Sequence, residues 1–244
     1  GSKGENSNAS AAGTQNETAT VQDESTDSNT DSTGSTTSLV QDNRVLQIPD
    51  DNYRTYYELF VYSFYDSDGD GIGDLQGVLE KLDYLNDGDD TTDMDLGING
   101  IWLMPVMPSV TYHKYDTTDY ENIDPQYGTL ETFQELLTAC HDRGIRVILD
   151  LAMNHSSSKH PWFLQAVEYL KNLPEGTEPD SSECPYVDYY HFSREALSGY
   201  AQVNGTDWYY EARFWDGMPD LNLENEAVRR EFEQIADFWL DMGV

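Results

Sequence analysis

The sequence predicts an α/β fold built on parallel strands, and three observations carry that prediction. Strand-like and helix-like segments alternate as β-α-β-α-β between Tyr56 and Met153. The strand-like segments are near-continuous apolar runs, as expected where helices cover a parallel sheet. After the third strand the rhythm breaks over residues 154–218, a stretch carrying Ser, Pro, Gly, Tyr and Trp. That excursion is too long for an ordinary βα connection and reads as a small inserted domain.

The elements follow in order. Residues 1–38 hold no aromatic residue, no Leu and no Ile. Such a segment cannot bury enough apolar surface to offset its chain entropy, so residues 1–44 are read as a disordered polar tether. "YYELFVYSFYD", Tyr56 to Asp66, is apolar and β-prone and is expected to be a buried strand. In "DLQGVLEKLDYLND", Leu75, Val78, Leu79, Leu82 and Leu85 fall at helical spacing. "GINGIWLMPVM", Gly97 to Met107, predicts a second strand stopped by Pro108. The next helix runs from Leu130 to Gly144, with Phe133, Leu136, Leu137 and Cys140 on one face and Gly144 suited to the C′ position. Ile145 to Met153 is expected as the third strand, so residues 45–153 form the first part of the main domain. Inside the excursion a short helix is expected from Pro161, which suits a first helical position. Residues 219–244 return to helix, with Val228, Phe232, Ile235 and Trp239 along one stripe.

The totals exclude some functions. Asp and Glu number 46 against 13 Lys and Arg, a formal charge of -33 that repels nucleic acid and anionic membranes. No apolar run reaches the length of a membrane span. Cys140 and Cys184 are expected to be unpaired, so this is not a disulfide scaffold. Tyr is abundant, at 17 residues, and its flat apolar faces with a polar edge suit sugar rings as well as cores. Trp208, Tyr209, Tyr210, Phe214 and Trp215 pose that choice within the inserted domain.

"DSDGDGIGD" asks for a cation. Asp66, Asp68, Asp70 and Asp74 repel one another unless a hard ion sits among them, and the interleaved glycines let the backbone curl. The Ile72 carbonyl is a further candidate ligand, and Ca²⁺ is the expected ion. The stretch begins like an EF-hand but has Gly77 where that motif requires a bidentate Glu. In parallel β/α folds ligands bind beyond the carboxyl ends of the strands. This acidic loop, "YHKYDTTDY" (Tyr112 to Tyr120) and "DLAMNH" (Asp150 to His155) occupy those three positions.

Taken together, four segments in order resemble the α-amylase superfamily of glycoside hydrolases, over essentially the whole stretch from Tyr56 to Val244. "FYDSDGDGIGDLQGV" is similar to the calcium loop of the oligo-1,6-glucosidase-like branch. "GINGIWLMPVMPS" with "YHKYDTTDY" resembles the second strand and its substrate loop. "DLAMNHSSSKHPWF" resembles the third-strand motif, with Ala152 where Val is usual, and "MPDLNLEN" resembles the motif closing the inserted domain. The resemblance implies a TIM-type (β/α)8 barrel, of which this chain holds the N-terminal portion, strands 1–3, with the small domain inserted after strand 3. It implies retaining hydrolysis of α-glucosidic bonds, with the catalytic carboxylates expected beyond Val244. It assigns Tyr115 to stacking under the sugar beside the scissile bond, places His113 on the same loop, and gives His155 hydrogen bonds to that sugar's hydroxyls. Asp150 becomes a structural acid, and Asp116 a residue that grips a terminal sugar in exo-acting members. Asn154 matches a ligand of a second calcium in some amylases, with Asp220 its partner if that site exists. The implied protein is an extracellular or surface-anchored bacterial α-amylase, expected as a monomer, acting endo on the α-1,4 bonds of starch or maltooligosaccharides. An exo-acting α-glucosidase or oligo-1,6-glucosidase, and a non-catalytic glucan-binding relative, are the alternatives.

Overall fold

The computed structural model describes residues 44–244. The tether expected over residues 1–44 therefore lies, but for Arg44, outside the described residues. Three four-residue strands, β1 (Tyr56–Leu59), β2 (Gly100–Leu103) and β3 (Arg146–Leu149), form a parallel sheet in the order β1-β2-β3. The register aligns Leu59 with Leu103 and Leu103 with Leu149. Helices α1 (Val61–Phe64), α2 (Leu75–Glu80), α3 (Leu82–Leu85) and α4 (Leu130–Asp142) lie between the strands in the chain. Beyond β3 come α5 (Pro161–Asn172), a 3-10 turn at Pro185–Asp188, strands β4 (Phe192–Ser193), β5 (Tyr200–Gln202) and β6 (Tyr209–Glu211), and α6 (Glu226–Met242). β4, β6 and β5 make a small antiparallel sheet, so the excursion after β3 has a sheet of its own.

The strands are shorter than the apolar runs suggest, and each shortening has a cause. After Leu59 the backbone turns into α1, where Gly73 N donates to Tyr62 O at 2.7 Å and Asp74 N to Tyr65 O at 3.1 Å. The chain after β1 therefore pairs with the acidic loop instead of a strand. β2 ends two residues before Pro105, which has no N–H to offer a ladder, and not at Pro108. The helix expected from Leu75 to Leu85 is split at Lys81, whose φ of -108° and ψ of 9° leave the helical range.

The sheet has one covered face. Leu59, Ile101, Leu103 and Val147 are buried, whereas Tyr56, Glu58, Trp102, Arg146 and Ile148 are exposed on the other face. The helical stripes match the spacing in the sequence: Phe133, Leu136, Leu137 and Cys140 of α4 and Val228, Phe232, Ile235 and Trp239 of α6 are all buried. Phe133 and Trp239 meet edge to face at 5.3 Å, which joins the two helices. Caps set the helix ends: Asp74 accepts from Gly77 N, Thr129 from Thr132 N, and Asn225 from Ala227 N. Pro161 opens α5, and Gly243, at φ 111°, closes α6 in the left-handed region. Both cysteines are free and buried. Among the described residues no helix is long and apolar enough to cross a membrane.

Candidate functional site

Three loops leave the carboxyl ends of β1, β2 and β3, and they carry the chemistry. The loop after β2 is closed at its base by a bridge between Ser109 and Thr117. The Asp116 carboxylate braces it from within. It accepts from Val110 N at 3.1 Å and Thr111 N at 3.3 Å, and from the Thr111 hydroxyl. Asp116 is 1% exposed. Its oxygens face the loop's own backbone.

Tyr115 and Asp150 do meet. The Tyr115 hydroxyl donates to Asp150 Oδ2 at 2.8 Å, across 35 residues of sequence. Partial burial, with the Asp150 carboxylate adding to it, pushes the Tyr115 phenol up to about 12. His155 joins from the end of the third loop. A carbonyl can only accept, so His155 Nε2 carries the proton and donates to Tyr115 O at 3.1 Å. Its Nδ1 then accepts from Asn154 Nδ2 at 3.2 Å. Burial holds this imidazole below the usual histidine range, which suits a neutral ring. Both ring nitrogens thus have protein partners, so a sugar hydroxyl would have to displace one of them. His113 sits beside the pair: its Nδ1 accepts from Tyr115 N at 3.1 Å, and its ring lies 5.9 Å from the Tyr115 ring.

The aromatic run of the inserted region divides in two. Trp208 and Tyr210 are buried, while Phe214 is 72% exposed and Trp215 51%. The Phe214 ring stands edge-on to His155 at 5.4 Å, so this one aromatic residue of the run reaches the site. Its role was not legible in the sequence, where the five aromatic residues look alike. A strip of rings also extends from the site toward α1, through Tyr112, Tyr62 and Phe60 at spacings of 5.9 to 6.4 Å. Tyr62 and Phe60 had been read as strand residues.

The acidic loop folds on its own backbone. Asp66 accepts from Gly69 N at 2.7 Å and Gly71 N at 2.8 Å, and those bonds, Gly71 first, hold its carboxyl below the usual range. Oxygens of Asp66, Asp68 and Asp74 lie within 4.8 Å of one another, an all-oxygen donor set that fits a hard cation. Asp70 lies outside that trio, and its Oδ1 accepts from Ile72 N at 2.7 Å. Asn154 and Asp220 are adjacent, with Asn154 Nδ2 3.5 Å from Asp220 Oδ1. Burial, with the Glu211 carboxylate nearby, raises Asp220 above the usual carboxylate range.

Comparison with known proteins accounts for this arrangement. The profile of the α-amylase catalytic domain matches residues 58–244. The chain belongs to the α-amylase family. Within that family, the chain is 45% identical over 195 residues to alpha-amylase 3 of Dictyoglomus thermophilum, covering 78% of this chain and 34% of the relative. It is 37% identical over 202 residues to an oligo-1,6-glucosidase of Parageobacillus thermoglucosidasius, covering 77% and 32%. The solved structure of Eubacterium rectale Amy13B superposes with a TM-score of 0.76 at 60% identity, covering 82% of this chain and 38% of that one. The chain thus spans about a third of the length of the curated relatives it matches. The fold of this family is a (β/α)8 barrel, and the chain holds its N-terminal part, with β1 to β3 as the first three strands.

Proposed function

We propose that this chain supplies the sugar-binding half of the active site of a retaining α-glucan hydrolase, an endo-acting α-amylase of starch and maltodextrin. One observation carries the reading: Tyr115, Asp150 and His155, from two separate loops, are locked together beyond the strand ends of an α-amylase barrel. The exposed part of the Tyr115 ring offers a sugar an apolar face. Asp150 orients that ring through the phenol bond and keeps a second carboxylate oxygen for a hydroxyl. His155 Nε2–H offers a donor when a hydroxyl competes with the Tyr115 carbonyl. The two carboxyl groups that retaining chemistry requires, about 5 Å apart, are assigned to the protein beyond Val244.

Endo action is favoured over exo action for a structural reason. The feature that spoke for an exo-acting glucosidase was Asp116, and its carboxylate is turned into its own loop. The two higher identities also fall on proteins named alpha-amylase 3 and Amy13B. Ca²⁺ is the ion we assign to Asp66, Asp68 and Asp74, where it would neutralise three carboxylates and pin the loop that follows β1. An extracellular or surface-anchored setting suits a strongly acidic chain with a Ser/Thr/Asn-rich leading segment. The deciding experiment incubates the full-length protein with maltoheptaose blocked at its non-reducing end. Cleavage to internal products supports endo action. Cleavage of the unblocked sugar alone identifies an exo-glucosidase, and cleavage of neither identifies a glucan-binding relative.

A further inference from the structure

We propose that Lys114 is a positioning residue, whose buried ammonium group holds the 113–116 turn in the shape that lets Tyr115 reach Asp150 and His155. The inference rests on the reading of Tyr115 as the sugar-stacking residue. Lys114 sits in the left-handed region at φ 62°, the one non-glycine residue with positive φ among the described residues. That conformation costs a bulky side chain free energy and persists only where the surroundings hold it. Here they do. Lys114 is 1% exposed, and its Nζ donates to Asp124 Oδ2 and to Gln126 Oε1, each at 2.8 Å. The ammonium also lies 4.7 Å from the centre of the Tyr127 ring.

The anchor is itself tied to the barrel. Asp124 N donates to Val106 O at 2.8 Å, just beyond β2, and Tyr127 O accepts from Leu75 N at the start of α2. The Asp124 carboxylate also accepts from Ser109 N at 3.3 Å and Gln126 N at 2.9 Å, so one acid grips the loop near both of its ends. Lys114 lies between His113 and Tyr115 in the chain. With its side chain drawn inward and its backbone left-handed, the peptide is set so that Tyr115 N donates to His113 Nδ1 and Tyr115 O accepts from His155. At this position Lys114 fixes where the Tyr115 ring points.

The test uses Lys114→Gly in the full-length protein, since glycine accepts positive φ at no steric cost and removes the anchor. Two readouts are taken. Tyrosine labelled with ¹³C at Cζ, assigned with Tyr115→Phe, reports Tyr115 ionisation at pH 11, and calorimetry reports maltoheptaose affinity. The expected result is a Tyr115 that is neutral in the wild type but ionised in Lys114→Gly, with affinity weakened about tenfold, the scale of one lost charge-assisted hydrogen bond. A variant that melts at a lower temperature yet keeps both readouts overturns the proposal and leaves Lys114 as a stabilising residue only. Should Lys114→Gly fail to fold, the Lys114→Met/Asp124→Asn double variant is measured by the same readouts, because it leaves no uncompensated buried charge. Failure of the functional reading is distinguishable: a wild type that binds no maltoheptaose refutes the sugar site, while the Tyr115 titration still decides the role of Lys114.

Discussion

Part of the stability lost on lowering the pH should trace to one capping residue, His160. It caps α5, accepting from Trp162 N through Nδ1 at 3.1 Å, and it is only 5% exposed. A nitrogen that accepts this bond cannot carry a proton, and a positive charge at a helix N-terminus opposes the macrodipole. Burial, only partly offset by the Asp119 carboxylate, lowers the imidazole from 6.5 to about 4. Between those values the unfolded chain binds a proton that the folded chain refuses, so stability falls as pH falls. At about 1.4 kcal/mol per pH unit, the span from 6.5 to about 4 gives a loss of roughly 3 kcal/mol. The reference is His160→Asn, which keeps a good capping acceptor and cannot titrate in this range. Urea unfolding of both proteins from pH 7 to 4 should show the wild type losing its advantage with that slope below pH 6.5. Other titrating groups are common to both proteins and cancel in the difference. Parallel stability curves would refute the reasoning, because they would mean that His160 takes up its proton equally well in the folded and unfolded chains.

Three further outcomes are expected. Gly77→Ala places a Cβ 2.0 Å from the Tyr65 carbonyl oxygen, a backbone atom, so chemical denaturation should show a loss of about 2–3 kcal/mol, the cost of overpacking. EDTA should lower the melting temperature of the wild type but not of Asp68→Ala, whose exposed carboxylate supports only the Asp70 N–H in the fold; an EDTA-indifferent wild type would exclude a structural cation. His155→Ala in the full-length protein should depress turnover by a larger factor than its melting temperature would suggest, and equal turnover would remove His155 from the site.

Periodicity and spacing determined a good deal of this protein. The buried stripes of α4 and α6, the caps at Pro161 and Gly144, the order of strands and helices and the three loops that bear the site follow from residue type and position. These are local rules, in which a side chain's fate depends on neighbours within a few residues. The family motifs lie on those same loops, so the sequence alone names the candidate site. Tertiary structure decided the rest. It placed Phe214 in the open and Trp208 and Tyr210 inside, although all belong to one aromatic run. It turned the Asp116 carboxylate onto Val110 N and Thr111 N of its own loop, and it brought oxygens of Asp66, Asp68 and Asp74 within 4.8 Å of one another. It also ended β1 at Leu59, where the acidic loop returns to bond the backbone that a strand would otherwise have used. The physical reason is common to all three. A carboxylate, a ring or a carbonyl takes the partner that the folded chain brings nearest, whether close in the chain, as Thr111 N is to Asp116, or distant, as His155 is from Phe214, and spacing alone does not choose between them.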